Sequence, residues 1–181
     1  MSATRLFTRL RQLVVLILCT LPVTYAHAQA ISENQLKAAF LVNFLKYVEF
    51  PQSTLTTTTI CLFGGDTLGP YLASFEGRSV AGKKLRVKRV NSPDQVGDCQ
   101  LLFVPYTEEA RFAIALRWVE AMPVLTVSDA DVFVRQGGCI ALVHAEGRMQ
   151  FDVNASALSQ IGLRPGSQMM RLARQVIGAG K

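Results

Sequence analysis

Histidine, tryptophan and cysteine are scarce in this chain: two, one and four among 181 residues. His27 lies in the N-terminal stretch, which leaves His144 alone in the remainder. A single histidine does not build a zinc site without carboxylates or thiolates beside it. Cys139 and Glu146 are the nearest such residues. Cys139 and His144 stand an odd number of positions apart on one extended run, so their side chains face opposite ways. That argues against a shared metal site and against a Cys–His nucleophile pair. The spaced glycines and Lys-Ser/Thr of a phosphate loop are missing, and no serine sits in a nucleophile elbow. Asp129, Asp131 and Asp152 are the remaining acid–base candidates. Asp129 and Asp131 have no third cation ligand in step with them, and Asp129 is expected to cap a helix. The chain reads as a non-enzyme that holds no metal and no cofactor.

Long apolar runs are also missing beyond the first thirty residues. Those thirty are an object of their own. Arg5, Arg9 and Arg11 precede a short apolar core, and Ala26-His27-Ala28-Gln29-Ala30 offers two overlapping small-x-small sites. This is the pattern of a secretory signal peptide over residues 1–30, cleaved after Ala28 or Ala30. Its core is too short to serve comfortably as a membrane span. Cys19 lacks the small residue that precedes a lipidated cysteine. The chain from residue 29 onward is expected outside the cytoplasm with no membrane span. It carries 16 Lys plus Arg against 13 Asp plus Glu, so its formal charge is +3 where the whole chain has +6. So mild an excess, in that compartment, excludes nucleic acid as a natural partner.

What is present is a set of short apolar runs. ICLFGG at residues 60–65 reads as the first strand of a parallel sheet, with the chain turning over its carboxyl end. LLFVP (101–105), VLTVS (124–128) and CIALV (139–143) have the same look. Helical patterns fill most of the gaps, which predicts a single α/β domain over residues 31–181. Its sheet is mostly parallel, with helices on both faces and a C-terminal antiparallel hairpin strand. The first helix is expected over residues 32–50, with Ser32 and Gln35 forming a capping box. Leu36, Phe40, Phe44, Tyr47 and Val48 make its stripe, with Lys37 and Lys46 off it. Residues 52–59 read as a linker. Residues 83–90 alternate into a strand with one solvated basic face near an edge; a specific acidic partner is the sharper reading of the same stripe. Thr107 is expected to cap a helix over 108–121. Ala145-Glu146-Gly147 turns a hairpin, and the last helix is expected from Ser167 through Ile177.

Beyond the leader three cysteines remain, Cys61, Cys99 and Cys139. An odd count leaves at least one thiol free or paired between chains. Cys61 and Cys99 lie in or beside central strands, where neighbouring strands bring side chains to bonding distance within narrow limits. From the residues alone, a disulfide and two buried thiols are both open.

Six stretches carry a resemblance. They are LKAAFLVNFLKYVEFP (36–51), ICLFGGDTLG (60–69), LLFVP, VLTVSD, the hairpin ending in RMQFDVN, and IGLRPGSQMMRLA (161–173). In this order and spacing they resemble the YfiR family. The resemblance implies a periplasmic α/β protein that represses an inner-membrane diguanylate cyclase of the YfiN type by binding its periplasmic domain. Cyclic-di-GMP output and biofilm formation then fall. It implies a homodimer, a disulfide between Cys61 and Cys99, and a free Cys139. The partner of Cys139 in a second family disulfide would fall near Glu146, where this chain has no cysteine. It also implies a partner-binding face over residues 145–163, with Met149, Leu158 and Leu163 as exposed apolar contacts. The competing function is a periplasmic small-ligand-sensing protein that relays to a membrane kinase or transporter.

Overall fold

Both halves of a capping box open the first helix. The Gln35 backbone N–H donates to the Ser32 hydroxyl at 3.2 Å, and the Ser32 N–H donates to the Gln35 side-chain oxygen at 2.8 Å. The structure is a computed structural model that describes residues 32–51, 55–65 and 68–178. The expected leader over 1–30, with both cleavage positions and His27, lies outside the described residues. In chain order the elements are α1 (Glu33–Tyr47), β1 (Val48–Glu49), β2 (Thr57–Phe63), α2 (Gly69–Leu72), β3 (Ser79–Val80), β4 (Lys83–Val90), β5 (Leu101–Val104), α3 (Phe112–Trp118), β6 (Leu125–Ser128), β7 (Ile140–Ala145), β8 (Arg148–Asn154), α4 (Ala155–Gln160), β9 (Arg164–Pro165), α5 (Ser167–Leu172) and β10 (Gln175–Ile177).

Eight strands form one sheet in the order β10-β8-β7-β6-β5-β2-β4-β3, and β1 pairs with β9 in a separate two-stranded ribbon. β2, β4, β5, β6 and β7 run parallel. β8 returns antiparallel to β7 through the expected hairpin. All of β5 is buried, as a strand covered on both faces must be. On one face Ala38, Leu41, Val42 and Leu45 of α1 pack with Ile60, Leu62, Leu101 and Phe103. On the other, Phe112 and Ala115 of α3 pack with Phe63, Leu102, Val104 and Phe133. This is the single α/β domain with helices on both faces that the apolar runs predict. No helix among the described residues is long and apolar enough to cross a membrane.

Four local expectations are corrected. The buried stripe of α1 is rotated from the expected one: Leu36 and Tyr47 are exposed and Phe40 is half-buried, while Lys37 is buried. A lysine turns inward because a carboxylate waits for it at the end of β6. β2 begins at Thr57, within the expected linker, because β-branched threonines suit a pleated strand and Thr58 and Thr59 are buried there. Thr107 caps nothing: residues 106–111 form 3₁₀ turns broken at Glu108, and α3 is only seven residues long. The last helix stops at Leu172. Ala173 is extended, and residues 175–177 instead pair parallel with β8, so the chain's end completes the sheet. Gly138 is required where it stands, since a Cβ there would lie 2.2 Å from the Phe133 ring.

Cys61 and Cys99 are joined by a disulfide with their Cα atoms 5.8 Å apart, and Cys139 is a buried free thiol. The bond closes a loop with a sequence separation of 38. In the chain-entropy model, a loop of that size destabilises the unfolded state by about 4 kcal/mol. The Cys61→Ala/Cys99→Ala double variant is therefore expected to lose about 4 kcal/mol in urea unfolding. Non-reducing peptide mapping of the native protein should recover Cys61 bonded to Cys99 and Cys139 unmodified. A linkage through Cys139 would contradict the assignment.

Candidate functional site

Open parallel sheets bind ligands beyond the carboxyl ends of their strands, where the strand order reverses. Here the chain passes from β2 to β4 on one side and then returns to β5 on the other. The reversal therefore brings together Gly64 and Gly65 after β2, Tyr106 after β5 and Asp129 after β6. The glycine turn is filled from within. The Gly65 N–H donates to Glu108 Oε1 at 3.3 Å, and Arg111 Nη1 donates to Glu108 Oε2 at 2.9 Å. A Cβ at Gly64, whose φ is +64°, would meet Glu108 Oε1 at 2.4 Å. Glycine is what lets the carboxylate in. The Arg111 guanidinium also lies 4.5 Å from the centroid of the Phe63 ring. An anion of the chain's own thus occupies the place where a phosphate would sit, and the turn is structural.

Asp129 is committed in the same way. The Tyr106 N–H donates to its Oδ1 at 2.7 Å, and Lys37 Nζ donates to its Oδ2 at 2.7 Å. Lys37 also pairs with Glu33 at 2.8 Å, one turn back on α1. Asp129 therefore does not cap a helix, because both its oxygens are engaged across the crevice. Burial alone would lower the Lys37 pKa, but the hydrogen bonds to Asp129 and Glu33 outweigh it and raise the ammonium above its ordinary value. The hydrogen bond from Lys37 holds Glu33 below the usual carboxylate range. Asp152, with no exposure at all, receives Nε of Arg174 at 2.8 Å and Nη2 at 2.5 Å. It ties the chain's end to β8. Among the described residues, no group of three or more His, Cys, Asp or Glu is placed to hold a metal ion.

Of the two residues Cys139 and His144, the thiol is buried and the imidazole exposed. Burial pushes the Cys139 thiol up, which keeps it protonated and unreactive. It lines a cavity of about 560 Å³ at the amino ends of β6 and β7, with Leu116, Val119, Val124 and Ile161.

The expected contact residues divide. Met149 is half-buried, on the same face of β8 as Phe151. Leu158 and Leu163 are 0% and 2% exposed, so neither is an exposed contact. Asn154 causes this for Leu158. Its Oδ1 accepts from the Ala157 N–H at 3.0 Å, and its Nδ2 donates to the Val134 carbonyl at 2.9 Å. α4 is thereby held with Ala157 and Leu158 facing inward. The apolar surface beside Met149 comes from α1 instead: Leu36 is 36% exposed, and the half-buried Phe40 stacks edge-on to Phe151 with centroids 6.0 Å apart. The sequence carried a signal for this flank, since α1 has more apolar positions than one stripe can bury.

Removing Lys37 leaves Asp129 a buried carboxylate with only the Tyr106 N–H. Lys37→Met is expected to cost about 3 kcal/mol in urea unfolding, the lower range for breaking a buried pair from one side. Because the folded pKa of Lys37 is raised, its contribution is fully present below the unfolded value near 10.4 and is lost as pH rises through the folded one. The stability gap between wild type and variant should stay constant through neutral pH, narrow on the alkaline side as Lys37 loses its proton, and narrow at acid pH as Glu33, held down by Lys37, takes one up. A gap that closes on acidification alone would contradict the pairing.

Two solved structures share the fold. One is the ABC domain in complex with L-Trp from Streptococcus pneumoniae, with a TM-score of 0.54 and 15% identity over 77% of this chain. The other is a conserved domain protein from Vibrio cholerae, with a TM-score of 0.52 and 12% identity over 80% of this chain. This chain spans 60% of the length of each. A likeness at that identity speaks for the fold alone. A sequence-family model described as DUF4154, YfiR/HmsC-like, matches residues 34–174, from the first turn of α1 to the arginine that clamps Asp152. The chain belongs to the DUF4154 family of YfiR/HmsC-like proteins.

Proposed function

We propose that this protein is an exported negative regulator. It binds the periplasmic domain of an inner-membrane diguanylate cyclase of the YfiN type and lowers cyclic-di-GMP output, restraining biofilm formation. Family membership over residues 34–174 is the observation that carries this reading. The signal-peptide pattern over 1–30 supports periplasmic placement of the domain over 31–181. The commitment of Glu108 and Asp129 to internal partners supports a binding role over a catalytic one. The apolar flank of Leu36, Phe40 and Met149 supplies a contact face beside the hairpin, and the protein acts as a homodimer.

A small-ligand sensor relaying to a membrane kinase or transporter is the second reading. The cavity beside Cys139 favours it, being within the size range of small-molecule sites. A saturable rise in Tm with L-Trp, the ligand of the matched Streptococcus pneumoniae domain, would favour this reading.

Deleting the gene is expected to raise cellular cyclic-di-GMP, and deleting the partner cyclase as well should abolish the rise. Met149→Glu and Leu36→Glu should keep the circular dichroism of the wild type yet lose repression and pull-down of the cyclase's periplasmic domain. Leu158→Glu, which places a charge in the core, should unfold the protein. Wild-type cyclic-di-GMP in the deletion strain would overturn the reading. Wild-type binding by both surface variants would displace the contact face.

A further inference from the structure

β4 is paired along one side only. Its inner side matches β2 from Thr57↔Lys84 to Phe63↔Val90. On its outer side β3 reaches only Lys83 and Lys84. Two bonds extend that cover by one residue: the Gly77 N–H donates to the Leu85 carbonyl and the Leu85 N–H to the Arg78 carbonyl, each at 2.9 Å. Beyond Leu85, no strand among the described residues lies against this edge. The next outward donor, the Val87 N–H, gives its hydrogen bond to the carboxylate of Glu76 at 2.8 Å. A side-chain oxygen thus stands where the carbonyl of a further strand would stand. Glu76 is exposed, so it can swing into water at little cost.

The two faces beside this edge differ. Leu85 and Val87 point to the face covered by α1 and α2. There a groove of about 400 Å³ runs beside Val87, walled by Leu62, Gly69 and Ala73 and lined also by Glu76, Lys88 and Arg89. Lys84 and Arg86 point to the opposite face, and both are exposed. Lys88, on that same face, is already paired with Asp98. A strand added here sends alternate side chains to the two faces. One set enters a small groove with an apolar floor, and the other stands across from Arg86, with Lys84 diagonal to it and itself opposite Ser79 of β3. A second copy of β4 would set its own cations against these, which disfavours self-addition.

We propose that the outer edge of β4 at Val87 accepts, by strand addition, an extended segment of another protein in which acidic and apolar residues alternate. The added backbone takes the Val87 N–H from Glu76. Its acidic side chains face Arg86 and, diagonally, Lys84, and its apolar ones fill the groove by Leu62 and Ala73. Glu76 acts as a removable cap that keeps the edge closed to weaker strands. The proposal needs no cyclase, so it stands or falls apart from the regulatory reading.

The test is an NMR titration of the isotope-labelled protein with the capped pentapeptide Val-Glu-Val-Glu-Val. Its Val-Lys-Val-Lys-Val counterpart and a backbone N-methylated version of the acidic peptide serve as controls. Saturable shifts are expected at the Val87 amide and its neighbours with the acidic peptide only. Glu76→Ala should tighten binding about threefold by freeing the donor. Lys84→Glu with Arg86→Glu should weaken it about fivefold by setting like charge directly opposite and diagonal to the acidic side chains. All these positions are exposed, so the variants test the edge without touching the core. Equal binding of the lysine peptide or of the N-methylated peptide would overturn the proposal. So would shifts confined to other strands, or no saturable shift in the Glu76→Ala protein.

Discussion

The arrangement depends on one buried carboxylate. Asp129 leaves the carboxyl end of β6 and takes the Lys37 ammonium with one oxygen and the Tyr106 N–H with the other. The first bond fixes the amino end of α1, the longest helix described, over one face of the sheet. The second fixes the turn after β5. Without these bonds the amino end of α1 would be held by side-chain packing alone, which tolerates rotation about the helix axis. With them, Ala38, Leu41 and Leu45 must face the sheet, and Leu36 is left outside. The exposure of Leu36 and the half-exposure of Phe40 therefore follow from a polar contact made by the neighbouring residue, Lys37, on the inward side of the helix.

The reversal of strand order between β2 and β5 brings together segments distant in sequence, and closing such loops costs entropy. The disulfide lies at that seam, with Cys61 in β2 and Cys99 just before β5. The covalent tie thus sits where the topology demands the least local contact. The two outer ends of the sheet are closed by weaker means. At one, β10 adds three residues to β8, and the Ser156 hydroxyl donates to the Gly178 carbonyl at 2.7 Å. At the other, short β3, the Glu76 carboxylate and a run of cations do the same work. Charges and brief strands are how an edge is kept from pairing indiscriminately.

Much of the fold was legible because parallel strands buried on both faces write themselves as short apolar runs, and all four such runs proved to be strands. The hairpin was legible from Glu146-Gly147, both of which adopt positive φ. What escaped was set by distant partners. Lys37 has helical periodicity that places it in solvent, and nothing local announces Asp129, 92 residues away. Val176 and Ile177 have apolar spacing that fits a helix, and only the open side of β8 makes them a strand. Leu158 and Leu163 lie in the expected contact segment, but the cap at Asn154 turns the first inward. In the candidate site, Asp129 was legible as an acidic candidate, but its partners were not, and Glu108 filling the glycine turn was not legible either, since that pairing depends on a broken 3₁₀ segment.

The cysteines limit what kind of signal this protein can carry. Thiol–disulfide exchange requires a thiolate to reach a sulfur along an open line. Cys61 is 0% exposed and Cys99 4%, so their bond is shielded in the folded state. Cys139 is 2% exposed, and its thiol is pushed up by burial, which removes the nucleophilic form. Glu146 stands at the hairpin tip, the whole length of β7 away from Cys139, so a cysteine there would be too far to bond it, and Glu146 pairs with Arg148 at 3.4 Å on the surface. A redox signal would have to open part of this domain before it met the sulfur of Cys61, Cys99 or Cys139. The apolar flank of α1 with Met149 and the charged edge of β4 reach solvent where these cysteines do not, so contact at such surfaces meets the folded protein sooner than cysteine chemistry does.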